Sequence, residues 1–277
     1  MKLNFGLQAV SALACLQNCT SIEKLSLQIP GSVNLYETER DVHEQTILWL
    51  SNCKHLREIN LHDFKSGPAL LIPLLLNDTI KLEDLSVDGT TGLYVAKDNQ
   101  KFHLALANQP HLRVLCLKGD SGDFMTEEDT LVLVRSISQL RNITKLELRG
   151  VSDWFDEDAI ICLLSSLSKL EEVYIGSYGV GDAVLDTIAS LKHLRMIAFS
   201  GLTNFSCHGL YGFVQGLEAG HNIGLQFSLF NVDPSNNALT DEDLAWVRTA
   251  FHDKVGGKLD YVLFNGRSTR ISETCSH

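Results

Sequence analysis

The sequence contains no long run of apolar residues. Hydrophobic residues make up 44% of the 277 positions, but no run approaches the roughly 18 residues that a helix needs to cross a membrane. The only stretch that resembles a targeting signal is Met1 to Ala14, where Asn4 and Gln8 interrupt the apolar residues. This interruption favours a helix of the fold over a signal peptide. We therefore expect a protein of the cytoplasm or nucleus that does not bind membranes.

Paired cysteine motifs are also missing. The seven cysteines form an odd number and include no C-x-x-C pair, which argues against a disulfide framework and against a zinc site. Four N-x-[ST] sequons begin at Asn18, Asn77, Asn142 and Asn204, but such short motifs often arise by chance. The cysteine usage agrees with a reducing compartment.

Basic residues are scarce. The chain has 23 Lys and Arg against 34 Asp and Glu, which gives a net charge of −11 and disfavours nucleic acid as a partner. Acidic clusters occur at 127–129, 156–158 and 241–243, each where a helix is predicted to begin. A negative charge is stabilised there by the helix macrodipole, so we favour this structural role over an acidic docking site.

Motifs that would indicate catalysis are absent or isolated. No phosphate-binding G-x-x-x-x-G-K-[ST] loop is present. The tetrapeptide at 119–122 is similar to the nucleophile loop of chymotrypsin-like proteases, yet it follows a predicted strand and its loop-forming residues alone explain it. The ten histidines are scattered along the chain. We therefore expect no enzyme, no cofactor and no metal.

What the sequence does contain is an internal repeat of the form L-x-x-L-x-L. Successive copies begin 34, 26, 30, 31, 27 and 24 residues apart, which is a repeat period. The seven motifs are Ile22/Leu25/Leu27, Leu56/Ile59/Leu61, Leu82/Leu85/Val87, Leu112/Leu115/Leu117, Ile143/Leu146/Leu148, Leu170/Val173/Ile175 and Leu194/Ile197/Phe199.

Each repeat predicts a short strand, a loop and a helix with apolar residues at three- and four-residue spacing. Such a unit cannot bury its hydrophobic side alone, so neighbouring units must stack. The expected fold is an α/β solenoid: a right-handed horseshoe with a continuous parallel sheet on its concave face and helices on its convex face.

The motifs and their period of roughly 29 residues resemble the leucine-rich repeats of the ribonuclease-inhibitor-like class. Two segments, 18–27 and 52–61, also resemble the cysteine-containing repeats of F-box/LRR proteins, with Cys19 and Cys53 at the same position. Equivalent residues of neighbouring strands lie about 4.8 Å apart, so we predict that these two cysteines are adjacent buried thiols. The other repeats place Thr79, Gln109, Leu140, Leu167 and Leu191 at that position.

The two ends of the chain differ from the regular repeats. Residues 1–205 are assigned to the repeats, with a short first strand at 3–5. Residues 206–264 are assigned to the last repeat material and a C-terminal strand-helix-strand cap, in which Thr240 caps the helix and Gly256-Gly257 ends it. The polar segment 265–277 is predicted to be a flexible tail.

We expect a protein partner to bind on the concave face. Residues flanking the strand leucines point away from the core, and Tyr, Trp and Arg are the types that most often anchor interfaces. The aromatic residues of the loops either join this contact or pack beneath the loop, and we favour packing for Trp154 and Phe155. The residues predicted to bind the partner are Lys145, Glu147, Arg149, Glu172, Tyr174, Met196, Tyr178 and Trp154.

The resemblance implies two kinds of function. One is the substrate-recognition arm of an F-box-type ubiquitin-ligase adaptor. The other is the sensor or autoinhibitory repeat arm of a nucleotide-binding immune-type receptor. A domain upstream of the repeats would distinguish the two, and the sequence leaves the partner and the oligomeric state open.

Overall fold

A computed structural model describes residues 1–4, 12–13, 15–90, 94–119, 125–176, 179–218, 220–232 and 238–263, along which strands and helices alternate. The strands are β1 (Lys2–Asn4), β2 (Lys24–Val33), β3 (Glu58–Phe64), β4 (Asp84–Asp88), β5 (Val114–Lys118), β6 (Lys145–Arg149), β7 (Glu172–Gly176), β8 (Val180–Gly181), β9 (Met196–Ser200), β10 (Thr203–Asn204), β11 (Gln226–Val232) and β12 (Lys258–Leu263). The helices are α1 (Leu35–Thr38), α2 (Arg40–Asn52), α3 (Gly67–Leu75), α4 (Gln100–Leu106), α5 (Glu127–Ile137), α6 (Glu157–Ser166), α7 (Leu185–Ser190), α8 (Cys207–Gly216) and α9 (Asp241–Val255), with 3-10 turns at Ala96–Asp98 and Asp182–Val184.

Ten of the described strands form one sheet in the order β1-β2-β3-β4-β5-β6-β7-β9-β11-β12. Every neighbouring pair in this sheet is parallel, including the pair β5 and β6 that carries the Leu112 and Ile143 motifs. The predicted continuous parallel sheet is confirmed. The short strands β8 and β10 pair separately, also in parallel.

The motif leucines are aligned across the sheet. The second apolar residue of each motif pairs with the second residue of the next, so that Leu25 pairs with Ile59 and the series continues to Ile197. The third residues align in the same way, and both rows are at most 2% exposed. The sequence period therefore sets the strand register, because a slip of one residue would turn every leucine away from the core.

The helices cover one face of the sheet. They pack against one another in chain order from α1 to α9, and their inward side chains belong to the same hydrophobic core as the strand leucines. The alternate strand residues lie on the other face, which we call the open face, and most of them remain partly exposed. The open face carries, from β2 to β9, Lys24, Ser26, Gln28, Glu58, Asn60, His62, Asp84, Ser86, Asp88, Val114, Cys116, Lys118, Lys145, Glu147, Arg149, Glu172, Tyr174, Gly176, Met196, Ala198 and Ser200.

The ends of the chain extend the same sheet. At the N-terminal edge β1 pairs with β2, which agrees with the predicted first strand, although Phe5 lies outside the described residues. At the other edge β11 pairs with both β9 and β12, and α9 joins the two strands. The predicted C-terminal strand-helix-strand unit is therefore present and continues the sheet. The proposed tail at 265–277 lies outside the described residues.

The acidic clusters lie at helix starts, as predicted. They open α5, α6 and α9, and Thr126, Asp156 and Thr240 each accept a hydrogen bond from a backbone N–H of the first turn. At α9 the arrangement is a full capping box, because the side chain of Asp243 also accepts a bond from the N–H of Thr240. Gly256 ends this helix in the left-handed conformation at φ 63°, which is open to glycine without strain.

The cap of α9 is expected to contribute measurably to stability. Thr240→Ala removes one side of the capping box and should lower the free energy of unfolding by about 1 kcal/mol, measured by urea denaturation. Thr249→Ala is the matched control, since Thr249 lies in the exposed middle of the same helix. Equal losses from the two variants would contradict a specific role for the cap.

Cys53 and Gln109 occupy the same position in their repeats. Where the residue at this position is polar and buried, its side chain contacts the preceding repeat. The thiol of Cys53 contacts the carbonyl of Cys19 at 3.7 Å. Gln109 accepts from the N–H of Leu82 at 3.0 Å and donates to the carbonyl of Leu75 at 2.9 Å. In the C-terminal unit Asn222 lies in a similar place, because its carbonyl accepts from the N–H of Leu225, and its amide donates to the carbonyls of Leu191 and Leu194 at 2.8 and 3.0 Å.

The prediction of two adjacent buried thiols is wrong for one of them. Both cysteines are free, and Cys53 is fully buried, but Cys19 is exposed. The backbone of Cys19 occupies the contact in place of its thiol, because its carbonyl accepts from the indole N–H of Trp49 at 3.0 Å and meets the thiol of Cys53. Burial raises the pKa of the Cys53 thiol to about 11.

Candidate functional site

Six of the eight predicted partner-binding residues lie together on the open face of β6, β7 and β9. Lys145 pairs in register with Glu172, and Glu172 pairs with Met196. One row further along the strands, Glu147 pairs with Tyr174. Neighbouring strands are about 4.8 Å apart, so these side chains form one continuous patch. We call this patch, with Arg149 included, the Tyr174 patch.

The charged side chains of the Tyr174 patch are paired with one another. The ammonium of Lys145 lies 2.9 Å from the carboxylate of Glu172, which raises the pKa of Lys145. The guanidinium of Arg149 lies 2.5 Å from the carboxylate of Glu147. Two cations and two anions leave no net charge, so the patch does not select a partner by the sign of its charge.

The ring of Tyr174 is held in place by Arg149. The central carbon of the guanidinium lies 3.9 Å from the ring centroid, which is the geometry of a cation–π contact. Because Glu147 holds the same guanidinium, the three side chains form one connected group across β6 and β7. This arrangement fixes the orientation of Tyr174 before any partner binds, which reduces the entropy lost on binding.

Small side chains lie beside the tyrosine. Ala198 is its in-register neighbour on β9, and Gly176 follows it on the same face of β7. Ala198 is only 3% exposed, whereas Tyr174 and Met196 stay partly exposed. Tyr174 and Met196 therefore extend beyond the small neighbours Ala198 and Gly176, so a partner side chain can contact both.

One cysteine borders the patch, since Cys116 pairs in register with Glu147. The nearest thiol is that of Cys116, which lies 3.8 Å from the carboxylate of Glu147. Burial, together with this carboxylate, raises the pKa of Cys116 to about 12, so the thiol stays protonated at neutral pH. Within the described residues, no three His, Cys, Asp or Glu side chains come together as metal ligands.

The loop aromatics differ from one another. Phe155 packs into the core at 1% exposure, as we favoured, but Trp154 is 49% exposed, so packing was the wrong interpretation for it. Trp154 follows β6 in the loop that leads to α6, and among the described contacts no ring contact joins it to Tyr174. Tyr178 lies outside the described residues, so its place in the site stays a prediction.

The N-terminal half of the open face has a different character. Lys24 and Glu58 form an exposed ion pair, and His62 lies 2.7 Å from Asp88 and 3.2 Å from Asp63. Asp84 is partly buried with no described ion pair, and this burial raises its pKa. Short polar groups dominate here, and no aromatic side chain occurs on the described open face of β2, β3 or β4.

The chain matches no model of a known protein family, and no match to it was found among the curated proteins. None of the described helices combines the length and the apolar character needed to span a lipid bilayer.

Proposed function

We propose that the chain is a non-enzymatic leucine-rich repeat protein, of the ribonuclease-inhibitor-like class, that binds a protein partner on the concave side of a horseshoe. The repeat assignment is supported by seven L-x-x-L-x-L motifs whose second and third residues occupy two aligned, buried rows of a parallel sheet. Stacked repeats of strand and helix form extended surfaces that serve as binding platforms.

The observation that carries the proposed binding site is the contact between Arg149 and Tyr174. A tyrosine on a rigid strand, pre-oriented by a guanidinium that is itself held by Glu147, has the features of an interface anchor. Met196 adds a flexible apolar side chain that can adapt to the partner. The proposed contact is therefore centred on Tyr174, with the paired charges at its rim.

Within this class, the resemblance of segments 18–27 and 52–61 supports a substrate-recognition arm of an F-box-type ubiquitin-ligase adaptor, acting in the cytoplasm or nucleus. The sensor arm of a nucleotide-binding immune-type receptor is the alternative that the repeats also fit.

The test is affinity purification with quantitative mass spectrometry. Wild type is compared with the double variant Arg149→Ala/Tyr174→Ala and with the control Lys24→Ala/Gln28→Ala, which truncates two residues of the open face at β2. A partner that is recovered by wild type and the control but lost by the first variant supports the proposal. Recovery of the same proteins by all three chains would mean that the partner binds to the helices or to the loops.

The partner's affinity is expected to depend little on salt. The two ion pairs of the Tyr174 patch already neutralise its charges, so few new charge pairs form on binding. Titration calorimetry at 0.05 and 0.5 M NaCl, concentrations on either side of physiological ionic strength, should give dissociation constants within about threefold of each other. A large loss of affinity at high salt would mean that the contact is electrostatic and lies elsewhere.

A further inference from the structure

A second exposed aromatic group lies on the opposite side of the molecule. Trp246 of α9 is 48% exposed and stacks on Tyr211 of α8, with ring centroids 3.9 Å apart and planes inclined by 13°. The core residues of α9 are Leu244, Val247, Phe251 and Val255. Trp246 lies two residues beyond Leu244, about 200° around the helix, so its position is not explained by core packing.

The stacked pair lines a hollow between α8 and α9. The hollow has a volume of about 310 Å³ and is lined by Tyr211, Gln215, Trp246, Thr249, Asp253 and Lys254 among others. Within this lining the ammonium of Lys254 donates to the backbone carbonyl of Gln215 at 3.1 Å. Tyr211 covers one face of the indole of Trp246.

Carboxylates lie on both sides of Trp246 along the helix. Glu242 is one turn before it and Asp253 is two turns after it, so the three side chains share one stripe of α9. Both carboxylates are exposed. Asp253 lies 3.2 Å from the imidazole of the exposed His252, and within the described residues neither carboxylate is paired with a lysine or arginine. Arg248 and Lys254 of the same helix keep their positive charge, and each donates to a backbone carbonyl, which directs Arg248 towards Leu259 and Lys254 towards Gln215. The stripe itself carries two negative charges around an aromatic ring, and the ammonium of Lys254 lies beside it at Gln215.

We propose that this stripe binds a basic segment of a protein partner, in the polyproline II conformation, through two arginines three positions apart. The first guanidinium stacks on Trp246 and pairs with Glu242, and the second pairs with Asp253. Trp246 and Asp253 are separated by about 10 Å along the helix, close to the roughly 9 Å that three residues of polyproline II span, and in that conformation residues three positions apart lie on the same side. Arginine fits better than lysine because its planar guanidinium both stacks on aromatic rings and pairs with carboxylates.

The proposal is tested with the capped peptide Arg-Ala-Ala-Arg and its lysine and glutamate analogues. Binding to ¹⁵N-labelled full-length protein is followed by NMR at the backbone amides of α9. We expect saturable shifts with the arginine peptide, weaker binding of the lysine peptide and none of the glutamate peptide. Trp246→Ala should lower the affinity about fivefold, and Glu242→Gln or Asp253→Asn about threefold each.

Two controls separate this site from other surfaces. Trp154→Ala removes the other half-exposed tryptophan, and Tyr174→Ala removes the anchor of the open face, so neither should change the affinity for the peptide. The two carboxylate variants alter only exposed side chains, so they remain informative even if Trp246→Ala disturbs packing. Equal binding of the arginine and lysine peptides, or no saturable shift in α9, would overturn the proposal. So would shifts in α9 that depend on protein concentration alone, which would indicate a second copy as the occupant.

Discussion

Tyr174→Ala is expected to lower the affinity for the protein partner about thirtyfold, which corresponds to about 2 kcal/mol. The substitution removes a pre-oriented ring at the centre of the patch and leaves Arg149 paired with Glu147 but no longer stacked. Tyr174→Phe keeps the ring and the stacking, so it should retain most of the affinity. The dissociation constants are measured by titration calorimetry with the partner recovered in the affinity experiment.

Tyr36→Ala is the matched control for this result. Tyr36 is 59% exposed on α1, on the helical side of the molecule, so its loss also removes an exposed tyrosine but not the proposed contact. Lys24→Ala removes only a rim charge of the open face and should cost little. Small and equal effects of all three alanine variants, with thermal melting unchanged, would exclude the Tyr174 patch as the principal contact.

Gln109→Leu is expected to lower the free energy of unfolding by about 3 kcal/mol, since each buried polar group left without a partner costs about 1–3 kcal/mol. In five other repeats the first motif residue donates its N–H to the carbonyl three residues earlier, as Leu112 does to Gln109. Leu82 makes no such bond in the described turn, and the side-chain oxygen of Gln109 accepts its N–H instead. The amide of Gln109 also donates to the carbonyl of Leu75.

The control for this prediction is Gln139→Leu, which makes the same chemical change at an exposed position of the next repeat. It should change the free energy of unfolding by no more than about 0.5 kcal/mol. Leucine itself fits at the repeat position of Gln109, because Leu140 and Leu167 occupy it in other repeats and are fully buried. A small effect of Gln109→Leu in urea denaturation would mean that the two backbone groups find other partners.

The strand register was predictable because the two apolar rows depend only on local alternation and on a repeated period. The role of Gln109 was not predictable, because its side chain bonds the N–H of Leu82, 27 residues earlier, which has no backbone partner in its own described turn. The exposure of Cys19 was not predictable for the same reason. The resemblance to the F-box/LRR pattern fixes the position of Cys19 in the repeat but not the direction of its thiol. Contacts between repeats decide such details, and the sequence of one repeat does not contain them.

The candidate site was partly predictable for similar reasons. Alternation along β7 places Tyr174 on the open face, since its neighbours Val173 and Ile175 are both buried. The stacking of Arg149 on Tyr174 depends on the rotamers of two long side chains, which the pattern does not specify. The stripe around Trp246 was missed, although a tryptophan out of phase with the buried residues of its helix is a signal that could have indicated it.

The order of the sheet has a consequence for local opening. Each strand bonds only to its neighbours, so the edge strands β1 and β12 are held on one side, whereas β6 and β7 are held on both. Fraying of an edge strand breaks its hydrogen bonds with one neighbouring strand, whereas exposing the backbone of β6 or β7 requires the bonds with two neighbouring strands to break. Amide hydrogen exchange should therefore be fastest at the edges and slowest in the middle strands. The Tyr174 patch lies on strands that remain closed while the ends of the sheet open.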